Sequence, residues 1–276
     1  MPTLNVARDA RTDVDLHYED LGEGRPVVLI HGWPLSGRSW EPQVPALVDA
    51  GYRVVTYDRR GFGASSQPWG GYDYDTLAAD LAALLDHLDV RDATLVGFSM
   101  GGGEVARYIG AHGAARVRQA VFAAAIPPAL RKTADNPDGG VDDALLAQLQ
   151  AGVRADRMGF LEEFMRNFFS AGGELKVSEP QLRNALELAR WASPTATHDC
   201  IAAWGTDFRA DLERFDLPTM VIHGDADAIV PFEVSGRRTA EMVAGSRLVV
   251  VEGGPHGLNV SHAERFNREL LDFLSA

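Results

Sequence analysis

The chain has 276 residues, and its 39 acidic side chains outnumber 26 Lys and Arg, giving a formal net charge of −13. That balance argues against binding a phosphate backbone, which needs clustered basic residues. A single cysteine, Cys200, allows no internal disulfide and no cysteine-based metal cluster, which fits a reducing compartment. The start, MPTLNVARDA, lacks the basic-then-apolar pattern of a secretory signal. No stretch reaches the roughly 18 uninterrupted apolar residues of a membrane span. The expectation is a soluble cytoplasmic protein that binds neither membrane nor nucleic acid.

Taken in chain order, short β-rich apolar runs alternate with helical patterns. Val14–Tyr18 alternates like a half-buried antiparallel edge strand. Pro26–Ile30, Arg53–Tyr57, Ala93–Gly97, Val117–Ala125, Thr219–His223 and Arg247–Val251 read as continuous buried strands. Helical spacing occupies about Trp40–Ala50, Tyr74–Leu88, Gly101–His112, Phe232–Val243 and His262–Leu274. Such alternation predicts a mostly parallel central sheet flanked by helices, an α/β fold. It fails between about Pro127 and Phe215. There Val141–Ala151, Ala155–Ser170, Pro180–Trp191 and His198–Trp204 are all helical in pattern, with no strand-like run. The expected organisation is one domain spanning residues 1–276 with a helical cap inserted at about 128–215.

Gly97-Phe98-Ser99-Met100-Gly101 matches G-x-S-x-G at the end of a strand and the start of a helix, the context of a nucleophile elbow. A serine at the apex of so sharp a turn takes strained backbone geometry, and only small residues two before and two after avoid collision. The helix N-terminus beneath Ser99 favours negative charge developing above it.

A serine hydroxyl needs a base, normally histidine. Of eight histidines, His256 stands in Gly253-Gly254-Pro255-His256-Gly257, a loop directly after the last strand. There its side chain can reach over the carboxyl edge of the sheet, where open α/β sheets bind ligands. The acid should leave the preceding strand, and His223-Gly224-Asp225-Ala226-Asp227 offers two. Asp227, 29 residues before His256, is the choice, with Asp225 as the alternative that could instead hold the turn. The same run could be read as metal ligands, but no matching motif stands elsewhere, so no metal is expected.

An oxyanion needs two N–H donors, each worth about 2.7–4 kcal/mol. Met100, directly after the nucleophile, supplies one. The loop His31-Gly32-Trp33-Pro34 supplies the other through Trp33, because Pro34 has no N–H. Asp58-Arg59-Arg60-Gly61-Phe62-Gly63 contains a Gly-x-Gly but lacks a third glycine and a following helix, and reads as a structural loop. Phe160, Phe164 and Phe168 recur every four residues and share one helix face. They pack cap to core or line an apolar acyl pocket; Pro34, Phe164, Phe168 and Ile229 are the candidate substrate contacts.

His31-Gly32-Trp33-Pro34-Leu35-Ser36, Tyr57-Asp58-Arg59-Arg60-Gly61-Phe62-Gly63, Gly97 through Tyr108 and Pro255-His256-Gly257 together resemble the α/β-hydrolase family of cofactor-free haloperoxidases and the related aryl esterases and γ-lactamases. The likeness spans nearly the whole chain in order and is weakest from about Pro137 to Ala202. It implies a Ser99–Asp227–His256 triad with Trp33 and Met100 as oxyanion donors. Proline at the position of Pro34 implies perhydrolysis, in which a carboxylic acid and hydrogen peroxide give a peracid that oxidises halide outside the protein. No cofactor is implied, and homo-oligomers are. Ester hydrolysis with perhydrolysis is the primary expectation; lactam or enol-lactone hydrolysis by the same triad remains open. A non-catalytic ligand-binding role would go with a degraded triad, yet all three members are present.

Overall fold

The computed structural model describes residues 2–8 and 13–276; residues 1 and 9–12 lie outside the described residues. The strands are β1 (Thr3–Arg8), β2 (Asp13–Leu21), β3 (Arg25–Ile30), β4 (Tyr52–Tyr57), β5 (Ala93–Phe98), β6 (Val117–Ala123), β7 (Ser170–Ala171), β8 (Glu174–Leu175), β9 (Thr219–Gly224) and β10 (Arg247–Val251). Eight of them form one sheet in the order β1-β2-β4-β3-β5-β6-β9-β10, and β7-β8 stand apart as a short hairpin. β1, β2 and β4 pair antiparallel in succession, and every later neighbour is parallel. All six residues of β5 and of β9 are buried, as the continuous apolar runs require of strands covered on both faces.

Helices alternate with these strands: α1 (Val44–Asp49), α2 (Tyr74–His87), α3 (Met100–His112), then α4 (Asp143–Ala155), α5 (Arg157–Phe168), α6 (Glu179–Arg190), α7 (Pro194–Ala203) and α8 (Arg209–Leu212), then α9 (Gly236–Met242), α10 (Leu258–Ser261) and α11 (Ala263–Ser275). Their starts follow the expected capping chemistry. Asp73, Asp142, Asp156, Ser178 and Ser193 each accept a hydrogen bond from a first-turn N–H, and Ser178 with Gln181 closes a capping box. Among the described residues no helix is long and apolar enough to cross a membrane.

Three local expectations change. Arg247–Val251, expected as a buried strand, is β10 at the far edge of the sheet, with Leu248 and Val250 exposed because only one side of it is paired. β2 is not the sheet edge, because β1 lies outside it with Leu4 opposite Leu16. The alternation of half-buried Leu4 and Val6 carried that strand, but two apolar positions in six residues give a weak signal. The segment between β6 and β9 is not purely helical either. Ser170–Leu175 turns back on itself through Gly172 and Gly173, both at positive φ (61° and 80°), the backbone a two-residue hairpin requires.

A buried polar cluster ties the sheet to α3. Glu104, fully buried on α3, accepts from the Tyr57 hydroxyl (2.6 Å) and pairs with the Arg59 guanidinium. Arg59 Nη2 also donates to the His31 carbonyl at 2.7 Å. Burial pushes the Glu104 carboxyl up, and Arg59 beside it pulls it back. Beside this cluster Arg60 grips Asp80 with two bonds of 2.6 Å. The loop after β4 is therefore structural, as its sequence suggested. Glu104→Ala strands the Arg59 cation and should cost about 3–5 kcal/mol in denaturant unfolding, whereas Arg59→Met combined with Glu104→Leu should recover much of that loss. A Glu104→Ala midpoint equal to wild type would show that the pair carries no such load.

Candidate active site

β5 ends and α3 begins at Ser99 with almost no room between them. A Cβ on Gly97 would lie 2.5 Å from the Gly101 carbonyl oxygen, and one on Gly101 would lie 2.4 Å from that of Ile30. Only glycine allows this approach. Ser99 sits at φ 54° and ψ −117°, a conformation L-residues rarely adopt. It is over-determined by neighbours: its N–H donates to Ala123, and its carbonyl accepts from Gly102 and Ile126.

His256 follows β10 and reaches back across the carboxyl edge of the sheet. Its Nε2 lies 2.9 Å from Ser99 Oγ, and its Nδ1 lies 2.7 Å from Asp227 Oδ2. A carboxylate only accepts, so Nδ1 carries the proton and Nε2 is left to accept from the serine hydroxyl. The other histidines, His223 apart, are engaged elsewhere, His112 stacked on Tyr108. His31 donates Nδ1–H to Gly32 and accepts the Arg59 N–H at Nε2; burial and then the Arg59 charge hold its basicity well below normal. His87 pairs with Tyr18, His198 with Asp199, His262 with Ser261, and His17 faces the Pro2 carbonyl.

Asp227 is enclosed. Oδ1 accepts the N–H groups of Ile229 (2.9 Å) and Val230 (2.8 Å), and Oδ2 faces both His256 and His223. Burial alone would push its carboxyl up, but the adjacent His256 and the hydrogen bonds from His223 and His256 outweigh it. The group stays well below the usual carboxylate range. Asp225, by contrast, is exposed and accepts the Gly253 N–H at 2.7 Å, bracing the loop that carries His256.

Met100 opens α3, so its N–H has no intrahelical acceptor. Trp33 lies in the loop after β3, where its peptide bond to Pro34 is cis. Among the described residues neither N–H donates to another backbone group outside regular elements. The Trp33 indole Nε1–H donates to the Thr197 carbonyl of α7 (3.2 Å). Its ring packs edge-on against Phe164 and Trp204, both with centroids at 4.9 Å.

The three phenylalanines of α5 divide between the two sequence readings. Phe168 is fully buried and stands edge-on to the His256 ring at 4.7 Å, with Phe98 at 5.2 Å from the same imidazole. Its carbonyl also takes the Gly257 N–H at 2.8 Å. Phe160 and Phe164 are half-buried around Trp33, where they leave apolar surface open. Ile229 is half-buried, with its N–H committed to Asp227. Phe168 further borders a cavity of about 410 Å³ with Leu35, Phe169, Ala185, Leu188 and Val260, whose wall includes neither Ser99 nor His256. Sequence reasoning gave His223 no role at this site. The His-x-x-x-Asp spacing was visible, but a four-residue separation places two side chains together only when the turn between them is known.

The Abhydrolase_1 family, described as the alpha/beta hydrolase fold, matches residues 25–263. A non-heme chloroperoxidase of Kitasatospora aureofaciens is 46% identical over 269 residues, covering 96% of this chain and 98% of the relative. A bifunctional esterase/perhydrolase of Acinetobacter calcoaceticus is 38% identical, covering 95% and 96%. The crystal structure of a bromoperoxidase from Bacillus anthracis shares 55% identity and superposes with a TM-score of 0.97, over 100% of this chain and 99% of that one. The chain belongs to the α/β-hydrolase fold family and is an enzyme.

Two outcomes follow from the geometry. Asp227→Asn should lower kcat about 10⁴-fold, whereas Asp225→Asn should leave most activity; the reverse ranking would make Asp225 the acid. Cys200 is fully buried, and burial pushes its thiol up to about 12. The native protein at pH 8 should therefore not react with a thiol reagent until denaturant is added, and rapid modification of the folded chain would contradict its placement.

Proposed function

We propose that the protein is a serine hydrolase of small carboxylic esters that also catalyses perhydrolysis. The observation that supports this best is the hydrogen-bonded chain from Ser99 Oγ through His256 to Asp227, set at the strained elbow. In this reading Ser99 Oγ attacks the ester carbonyl while His256 Nε2 takes its proton. Asp227 keeps Nδ1 protonated, holds the ring and offsets the imidazolium charge. The N–H groups of Trp33 and Met100 receive the tetrahedral oxyanion, helped by the N-terminal end of α3. Collapse expels the alkoxide, which His256 protonates, and leaves an acyl-Ser99.

Water attacking that acyl group regenerates Ser99 and releases the acid. Hydrogen peroxide attacking it instead releases the peracid, with His256 again carrying the proton in either case. The peracid then oxidises halide to hypohalous acid and returns to the carboxylic acid, a step that needs no group from the protein. The names of the chloroperoxidase, bromoperoxidase and esterase/perhydrolase relatives favour this branch, as does Pro34 through the family resemblance. Half-buried Phe160, Phe164 and Trp204 around Trp33 are proposed as the apolar wall for the acyl chain, with Pro34, Phe168 and Ile229 closer to the reacting atoms. The helical stretch between β6 and β9 acts here as a cap that selects substrate.

The test is a panel of short esters and lactones assayed with and without hydrogen peroxide. Wild type should hydrolyse small esters and, with peroxide and bromide, brominate a reporter in proportion to peracid formed. Ser99→Ala should lose at least about 10⁴-fold in both. Full turnover by Ser99→Ala would sink the acyl-enzyme, and ester turnover without peracid would sink the perhydrolase half. A clear preference for lactones over esters would move the substrate class to lactones.

A further inference from the structure

His223 is the fifth of the six residues of β9, wholly buried, and its surroundings fix which nitrogen carries the proton. Nε2 is 2.8 Å from the Val230 carbonyl and 3.1 Å from Asp227 Oδ2, two groups that can only accept. Nε2 therefore carries a proton. Nδ1 is buried with no hydrogen-bond partner. The start of α9 packs over it, since a Cβ on Gly236 would stand only 2.5 Å from Nδ1. A proton there would be a buried donor with nothing to bond, costing more than an unsatisfied acceptor lone pair. The geometry thus specifies the Nε2–H tautomer. Its remaining packing comes from the Phe232 ring, 5.7 Å between centroids.

Resting on the triad reading above, we infer that His223 is a positioning residue: its Nε2–H, shared between the Val230 carbonyl and Asp227 Oδ2, tempers the hold of that oxygen on the catalytic His256 Nδ1–H. The physical reason is competition for one oxygen. Two backbone N–H groups occupy Oδ1, so both imidazoles share Oδ2. Each donor draws electron density from the carboxylate and weakens its grip on the other donor's positive form. Without His223, Oδ2 would bind the His256 imidazolium more tightly and the base would stay protonated to higher pH. The groups facing this set are few. Asp227 takes its electrostatic contributions from the two imidazoles, and His256 otherwise meets Ser99, Phe98 and Phe168. Asp225 points away, exposed and bonded to Gly253.

The experiment is the pH profile of kcat/KM for a small ester in wild type, His223→Leu and His223→Gln. His223→Leu keeps the bulk and loses the donor, so its acid limb should move up by roughly one pH unit. His223→Gln retains an N–H at similar reach and should bring the limb back toward wild type. A His223→Leu limb at the wild-type pH, at whatever plateau, overturns the proposal, because a merely structural role lowers the plateau or stability without moving the limb. Should His223→Leu fail to fold, ¹⁵N-imidazole NMR of the wild-type protein decides. His223 must carry its proton on Nε2, and the Nδ1–H tautomer refutes the idea. Labelling by a fluorophosphonate separates this from the triad itself: an unmodified Ser99 in wild type would overturn the triad reading, whereas labelled Ser99 with an unmoved limb overturns His223 alone.

Discussion

Pressing α3 against the end of β5 is the constraint on which the site depends. Ser99 holds a backbone conformation that costs about 1–3 kcal/mol, and it persists because Gly97 and Gly101 let strand and helix touch through bare backbone. Once that contact forms, three backbone hydrogen bonds leave the serine no alternative. The consequence is a hydroxyl lifted above the sheet edge, within 2.9 Å of His256, and a helix N-terminus directly beneath it. The strain is thus supplied by the whole sheet, not by the loop that displays it.

The same helix is anchored from below by charge. Glu104, one turn into α3, meets Arg59, and Arg59 in turn holds the His31 carbonyl and, through its own N–H, the His31 ring. The loop that presents Trp33 and the helix that presents Met100 are therefore fixed to each other by one buried ion pair. Such pairs contribute little net stability compared with apolar packing, but they specify geometry because a broken one is expensive.

The segment between β6 and β9 reaches the site from above at two points. Its α7 carbonyl at Thr197 holds the Trp33 indole, and its Phe168 carbonyl holds the Gly257 N–H while the Phe168 ring closes on His256. The elements proposed to select substrate are thus bonded to both loops proposed to carry catalysis. A change in α5 or α7 would be felt at His256 or Trp33 without touching the acyl chain.

Much of this was legible in the residues. The apolar runs gave seven of the eight main strands, five because a strand buried on both faces must be apolar throughout, β2 by its alternation, and β10 by an apolar run that lies at the sheet edge with Leu248 and Val250 exposed. The elbow, His256, Asp227 and the Trp33 loop could be read because each is a local pattern next to a strand end. Short or half-exposed pieces, β1 and the Gly172-Gly173 hairpin, were not, since a few residues carry too little periodicity. What lay wholly beyond the sequence were the pairings between distant segments: Glu104 with Arg59, Phe168 with His256, His223 with Asp227. Periodicity and motif fix what a segment is and which side chains sit at its ends. Which distant side chain then fills the second lone pair of a buried carboxylate is decided only when the packed sheet brings their elements within about 3 Å.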